Sequence, residues 1–523
     1  VTGRKPRLYL AAALLGVLAM LLTGADAGQA DAAPEAATAE AAADVAPPAP
    51  TEAPSAEGAP DKASSPPTDP VPTAQDAQPT RFEAMRAAAG DQSFGSRLIG
   101  ILGVMTTLGL AFSMSMDRGS IRWPLVAMGT GLQIVFAILV LKTAAGEALF
   151  RVATDAVNKL LSFNIEGSRF VFGNIVDNAI PVTSAGSPTE FVANTGSMIA
   201  FGVLPSILFF SALTSLLYYL GVLQVVVRGM AWVMRRTMGT SGAESLSAAA
   251  NIFVGQTEAP LLVKPYLNKM TKSELMAVMT GGFATVAGGV MAAYVGMLSG
   301  AFPDIAGHLL AASVMSAPAS LVMSKIIVPE TEVPETMDGA QDDPIDDTGR
   351  PANALDAIAK GTSDGLMLAL NVGAMLISFI ALIALVNWMI GALGGLFGYE
   401  GVTLQVLLGY VLAPLAWLLG VPWVDAPAVG GMMGTKTVVN EFVAYLDLNA
   451  AMQGGGLVHP KSVVIATYAL CGFSNFGSIG IQIGGLATIA PERRQDLARI
   501  GLRSMIGASL ACFQTAALAG MLI

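Results

Sequence analysis

Asn251-Ile252-Phe253-Val254-Gly255-Gln256-Thr257-Glu258-Ala259-Pro260 and Gly434-Thr435-Lys436-Thr437-Val438-Val439-Asn440-Glu441-Phe442 are the two runs on which the fold turns. Each lies in an apolar stretch, 241–267 and 403–448, yet is interrupted by Gly, Asn, Thr or Pro and by a carboxylate. In lipid, an unpaired backbone amide or carbonyl costs several kcal/mol, so a spanning segment stays a continuous helix unless its irregular part is buried in protein or lines a cavity. Broken apolar runs of this kind predict re-entrant hairpins around a midplane site. A carboxylate at that depth costs about 2.5–3.5 kcal/mol on the insertion scale, so Glu258 and Glu441 need a task. They either cap amides freed by the broken helix or accept hydrogen bonds from a polar ligand, beside the amide and hydroxyl of Gln256 and Thr257.

The remainder of the chain places these runs in a membrane. Its 523 residues are 53% hydrophobic and only 13% charged, with a mean hydropathy of +0.61, which is too apolar for a soluble chain of this size. Apolar stretches long enough to span recur at 96–114, 123–142, 197–220, 274–298, 308–328, 366–391, 462–489 and 497–522, predicting an all-α membrane protein of eight transmembrane helices. Lys and Arg collect in alternate loops: Arg118 and Arg122; Arg228, Arg235, Arg236, Lys264, Lys269 and Lys272; Lys325; then Arg493, Arg494, Arg499 and Arg503. Those loops are expected inside, with Arg350 beside them and both termini outside. Segments 146–180 and 222–238 mix apolar with charged residues and read as helices on the outer and inner membrane surfaces.

Residues 1–27 have the layout of a secretory signal, with Arg4, Lys5 and Arg7 before an apolar run and Ala25-Asp26-Ala27 after it. Residues 28–92 are rich in Ala, Pro and acids and lack large apolar groups, which predicts a disordered periplasmic tail. The expected organisation continues with mainly scaffold and interfacial helices at 93–240, a first transport repeat at 241–330, an acidic cytoplasmic linker at 331–365, a scaffold helix at 366–400 and a second transport repeat at 401–523.

An internal echo links the two repeats. Glu258 precedes a span containing Gly282-Phe283-Ala284-Thr285, and Glu441 precedes one containing Gly472-Phe473-Ser474-Asn475. The two units start from opposite sides of the membrane, so they are inverted, the arrangement that points to a midplane site in secondary transporters. In the seventh span Asn475 and Ser478 share a helical face near Phe473 and Phe476, which suits either helix packing or a cluster for sugar hydroxyls under an aromatic wall. His308 and His459 are the only histidines, and Cys471 and Cys512 lie in apolar runs. No histidine-built metal centre or nucleophile–base arrangement is therefore expected. An intramembrane hydrolase would have to rest on Glu258 and Glu441 alone. The acidic charge of −10 carries no nucleic-acid footprint.

Three motifs resemble the concentrative nucleoside transporter family over residues 95–523. They are the Gly-Gln-Thr-Glu core at 255–258 with Pro265-Tyr266-Leu267, the Asn440-Glu441-Phe442 segment, and Tyr468 to Ile479 in the seventh span. The resemblance implies a bacterial inner-membrane homotrimer, each protomer with a scaffold and a mobile transport domain that carries a nucleoside inward with a cation by an elevator-like movement, without an organic cofactor. Carried over by position, Gln256, Thr257, Glu258 and Val290 would contact the base. Glu441, Asn475 and Ser478 would hold the ribose, with Phe473 lining the site. Sodium would take the Asn251 side chain, the Val254 carbonyl, the Thr285 hydroxyl and the Val286 carbonyl. Proton coupling through Glu258 or Glu441 is the alternative, nucleobases or another small polar metabolite are the alternative substrates, and purine or pyrimidine preference stays open.

Overall fold

The computed structural model describes residues 94–176, 179–181, 192–194, 199–337, 351–399 and 401–523. The signal-like segment and the Ala/Pro-rich tail lie outside them, as does Arg350. The described residues are helical nearly throughout. Helices α1 (Phe94–Ser113), α2 (Trp123–Lys142), α3 (Ala144–Phe172), α4 (Leu204–Tyr219) and α5 (Val222–Met238) come first, with a short antiparallel pair between α3 and α4, β1 (Ala179–Pro181) and β2 (Val192–Asn194), that the sequence reading lacked. Then follow α6 (Gly242–Ala250), a 3₁₀ segment (Ala259–Tyr266), α7 (Lys272–Ala284), α8 (Gly288–Leu298), α9 (Ile305–Ile327), α10 (Ala354–Leu396), α11 (Leu404–Leu418), α12 (Ala426–Val438), α13 (Glu441–Gly454), α14 (Pro460–Leu470), α15 (Phe476–Ile489) and α16 (Arg494–Leu522).

Among the described residues, six helical segments are long and apolar enough to cross a membrane, and α1, α11 and α15 are shorter apolar helices. Burial separates an inner from an outer set. The most apolar windows of Lys272–Leu298, Ile305–Ile327 and Pro491–Leu522 are 89%, 83% and 83% buried, whereas that of α10 is 11% buried. A helix apolar on all sides and buried is bundle core, while one that is apolar yet exposed needs lipid or another subunit around it. α10 has 43 residues, about 65 Å at 1.5 Å per residue, and it packs along α4, where Gly361 and Gly365 would each bring a Cβ within 3 Å of that helix.

Two expected boundaries shift. The stretch 403–448 is not one broken hairpin: α11 is a helix in its own right, ended at Gly420 (φ +102°), and the chain folds back on itself only in α12 and α13. Likewise the helix expected from 366 starts at Ala354, where the Asn353 side chain accepts from the Asp356 amide, so the end of the acidic linker is helical. A polar N-cap with an acidic first turn starts a helix before its apolar run begins.

Lys325 and Arg493, both expected inside, reach the starts of α6 and α7. α6 and α7 both open with capping boxes, Ser241 with Glu244 and Thr271 with Glu274, which satisfy amides that a helix start leaves free. The two are cross-linked by Ser241 Oγ donating to Glu274 at 2.6 Å. Lys325 from α9 then reaches Glu244 at 2.7 Å and Glu330 at 3.1 Å, and Arg493 donates to the Met270 carbonyl at 2.6 Å. These bonds tie the starts of α6 and α7 to α9 and to the start of α16.

Candidate substrate and ion site

Two helix breaks meet at the centre. α7 stops at Ala284 and the chain restarts as α8 at Gly288. α14 stops at Leu470 and restarts as α15 at Phe476, with the Asn475 side chain capping it by accepting from the Ser478 amide at 2.9 Å. Gly472 (φ +91°) lies between, and a Cβ there would stand 2.6 Å from the Phe283 carbonyl oxygen. Only glycine allows both that backbone conformation and so close an approach of the two breaks.

The tip of the first repeat lies beside the α7–α8 break. The Gly288 amide donates to the Phe253 carbonyl at 3.0 Å, and Asn251 Nδ2 lies 3.5 Å from a Cβ placed on Gly281, one turn before Thr285. Asn251 is thereby set beside α7, and the Phe253–Gly288 bond has Val254 and Val286 as near neighbours in the chain. Asn251 donates from Nδ2 to the Ser247 carbonyl at 2.9 Å, which fixes its amide orientation and leaves Oδ1 buried with no partner. Thr285 donates to the Gly281 carbonyl at 3.0 Å, so its oxygen lone pairs stay free. Among the described residues no donor reaches the carbonyls of Val254 or Val286. A buried oxygen acceptor is normally paired, so the unpaired Asn251 Oδ1 is an open position of the kind a hard cation takes.

Gln256 and Thr257 face α15. Gly282 explains how: a Cβ there would be 3.0 Å from Gln256 Cβ and 2.1 Å from Gln482 Nε2. Gln482 donates to the Met279 carbonyl at 3.2 Å, and its Oε1, like that of Gln256, is buried without a partner. Thr257 packs against Gly485, whose Cβ position is 3.0 Å from its methyl group. Glu258 turns back and accepts from the Gly255 amide of its own turn, while remaining exposed at one side. Val290 is buried on the first turn of α8.

Glu441 begins α13 and is almost wholly buried. Its Oε1 accepts from the Tyr294 hydroxyl and its Oε2 from Asn475 Nδ2, both at 2.9 Å. Each carboxylate oxygen therefore keeps further acceptor capacity. Asn475 and Ser478 stand together as expected, but their bond to one another is a helix cap. Phe473 is half-buried in the break, whereas Phe476 is 51% exposed. Sequence reasoning missed Tyr294 and Gln482. Each lies one helical turn beyond a residue it did select, Val290 and Ser478, so the i, i+4 spacing was available as a signal.

Broken helices that meet inside a bundle of membrane-length apolar helices suit a membrane transporter. The family models for the Na+ dependent nucleoside transporter N-terminus, nucleoside recognition, and the Na+ dependent nucleoside transporter C-terminus match residues 102–175, 200–301 and 308–520. An uncharacterised transporter of Haemophilus influenzae is 44% identical over 82% of this chain and 98% of its own length. Sodium/nucleoside cotransporter 2 of Rattus norvegicus is 39% identical over 82% of this chain and 63% of its own. Among solved structures, CNTnw in an inward-facing substrate-bound state superposes with a TM-score of 0.74 at 39% identity, covering 82% of this chain and 98% of that one. A variant of CNTnw in an outward-facing state matches with a TM-score of 0.75. The chain belongs to the Na+-dependent, or concentrative, nucleoside transporter family.

Proposed function

We propose that this protein imports nucleosides across a bacterial inner membrane by Na+ symport. The observation that carries the reading is the contact between the two breaks, one beside the unpaired oxygen of Asn251 and the other beside a buried carboxylate held by two donors. Sodium beside Asn251, Val254, Thr285 and Val286 would fix the tip that carries Gln256, Thr257 and Glu258, and would so order the base-reading groups before the nucleoside arrives. Such ordering is a coupling free energy between the two sites, and it works equally in both directions. Glu441, aimed by Tyr294 and Asn475, would accept from ribose hydroxyls, with Ser478 beside it and Phe473 and Val290 as apolar lining. A hydrogen bond to a charged group contributes about 1.5–3 kcal/mol, enough for the carboxylate to repay its place at membrane depth.

Eight spans and two inverted re-entrant hairpins, α6 with the 3₁₀ segment and α12 with α13, give the architecture of this reading. The bonds of Lys325 and Arg493 to the starts of α6 and α7 support a cytoplasmic foot and outside termini. The buried inner helices would move as a transport domain against an outer scaffold, and CNTnw has both inward-facing and outward-facing states. The exposed apolar flank of α10, with Leu366, Ile377 and Trp388, supports a homotrimer contact. The test is uptake of labelled uridine and labelled uracil into proteoliposomes under the same gradient. Uridine is expected to accumulate and uracil, lacking the ribose, to enter poorly. Equal uptake of the two would refute the two-part site.

A further inference from the structure

Gln482 has been given no role toward the ligand, yet it lies where the groups that have one come together. It is on α15, one helical turn after Ser478, and Gly485 follows three residues later, so the three share one face of that helix. Ser478 stands at the ribose end of this strip, its amide bound by Asn475. The other end touches the first repeat, where the Thr257 methyl group is 3.0 Å from the Cβ position of Gly485. Gln482 lies between them and over Gly282 of α7, where an added Cβ would be 2.1 Å from its Nε2 and 3.0 Å from Gln256 Cβ. That glycine makes room for two glutamines at once, one from the first tip and one from α15.

Both amides lack a donor. Gln482 is 1% exposed and Gln256 9%, and the Oε1 atom of each is buried without a partner. Leaving an amide oxygen unpaired at such depth is costly, so it is normally met by a protein donor, a water or a ligand. Gln482 cannot relieve this by turning its amide over. Its Nε2 donates to the Met279 carbonyl at 3.2 Å, and the flipped amide would set one acceptor against another. The side chain is thereby held with its oxygen as a fixed acceptor.

We propose that Gln482 is a base-reading residue that, together with Gln256, selects nucleosides whose base carries an exocyclic amino group. This rests on the nucleoside reading above. With the ribose at Glu441, Asn475 and Ser478, the base would extend along the α15 strip toward Thr257 and so pass Gln482. An amino group such as that of cytosine or adenine brings two N–H donors, one for each amide oxygen. Uracil or hypoxanthine brings a carbonyl in that place, and its oxygen would face an acceptor that cannot turn away. Uridine and inosine would still enter through their ribose contacts, but less readily.

The test is competition for uptake of labelled uridine into proteoliposomes under an inward Na+ gradient. Unlabelled cytidine is compared with uridine, and adenosine with inosine, for the native chain and for Gln482→Met, which keeps the length and apolar packing but has no amide oxygen. In the native chain the amino-bearing member of each pair is expected to compete about tenfold better. Gln482→Met should reduce both ratios to about threefold or less, with the Na+ concentration for half-maximal uptake near native. Equal competition within either pair in the native chain overturns the proposal, whether or not the variant folds. So does a Gln482→Met protein whose uptake falls alike for all four nucleosides with the ratios unchanged, which is what a purely structural role would give. A chain that takes up no nucleoside under the gradient overturns the nucleoside reading as well, and is told apart by that.

Discussion

Replacing Glu441 by Gln keeps the side chain's shape and removes its charge. In the native site Oε1 accepts from Tyr294 and Oε2 from Asn475, each at 2.9 Å. The Asn475 amide is pinned, since its own oxygen accepts from Ser478, so Asn475 Nδ2 must still find an acceptor. Gln can meet that by directing its oxygen to Asn475 and its NH2 to Tyr294, whose hydroxyl rotates from donor to acceptor. Removing a buried charge also relieves desolvation, which offsets the weaker bonds. The fold should therefore survive with little change in thermal midpoint. The ligand fares worse: one carboxylate oxygen that would accept a ribose hydroxyl has become a donor. Loss of one charge-assisted bond, about 1.5–3 kcal/mol, weakens nucleoside binding about 10- to 150-fold. Calorimetry of uridine binding to purified native and Glu441→Gln protein, alongside their melting curves, makes the comparison. Unchanged affinity with a lowered melting point would show that Glu441 serves only to cap broken-helix amides, and the ribose assignment would fall.

Other consequences follow from the same geometry. Asn251→Leu removes the unpaired Oδ1 and should raise the Na+ concentration for half-maximal uptake about tenfold or more; an unaltered Na+ curve would remove this residue from the ion site. Lys325→Met leaves Glu244 and Glu330 buried without their cation, and should destabilise the fold by about 3–5 kcal/mol, seen as a clear fall in melting temperature that Lys325→Arg largely avoids. Gly282→Ala would place a methyl group 2.1 Å from Gln482 Nε2 and should change the preference between uridine, cytidine and adenosine, measured by competition, more than it changes Na+ dependence. Cys471 and Cys512 are fully buried, so an impermeant maleimide should label Glu492→Cys from the inside and leave the native chain silent; labelling from outside would invert the topology.

The helices and the two broken runs were legible because they depend on local chemistry: uninterrupted apolar length marks a helix, and Gly, Pro and a carboxylate inside such a run mark a break. The meeting of Asn251 and Val254 with Thr285 and Val286 was expected by resemblance, and the Phe253–Gly288 bond ties the segments that carry them. What local chemistry does not encode was missed. The true start of α10 is set by the Asn353 cap rather than by apolarity, and the separation of α11 from the second hairpin hangs on the backbone of Gly420. Tyr294 and Gln482 take their meaning from partners 147 and 203 residues away, and an isolated Tyr or Gln in an apolar run does not reveal which helix it will face. Glu258 was read symmetrically with Glu441, but its carboxylate bonds its own turn while Glu441 bridges elements.

The central claim, that an inward sodium gradient drives nucleoside accumulation, is tested most directly in proteoliposomes holding this protein alone. Uridine uptake is followed first with an inward Na+ gradient at equal pH on both sides, then with an inward proton gradient in choline buffer. The account predicts accumulation above equilibrium in the first condition and none in the second. Accumulation driven by protons without Na+ would contradict it and move the coupling role to the carboxylates Glu258 and Glu441.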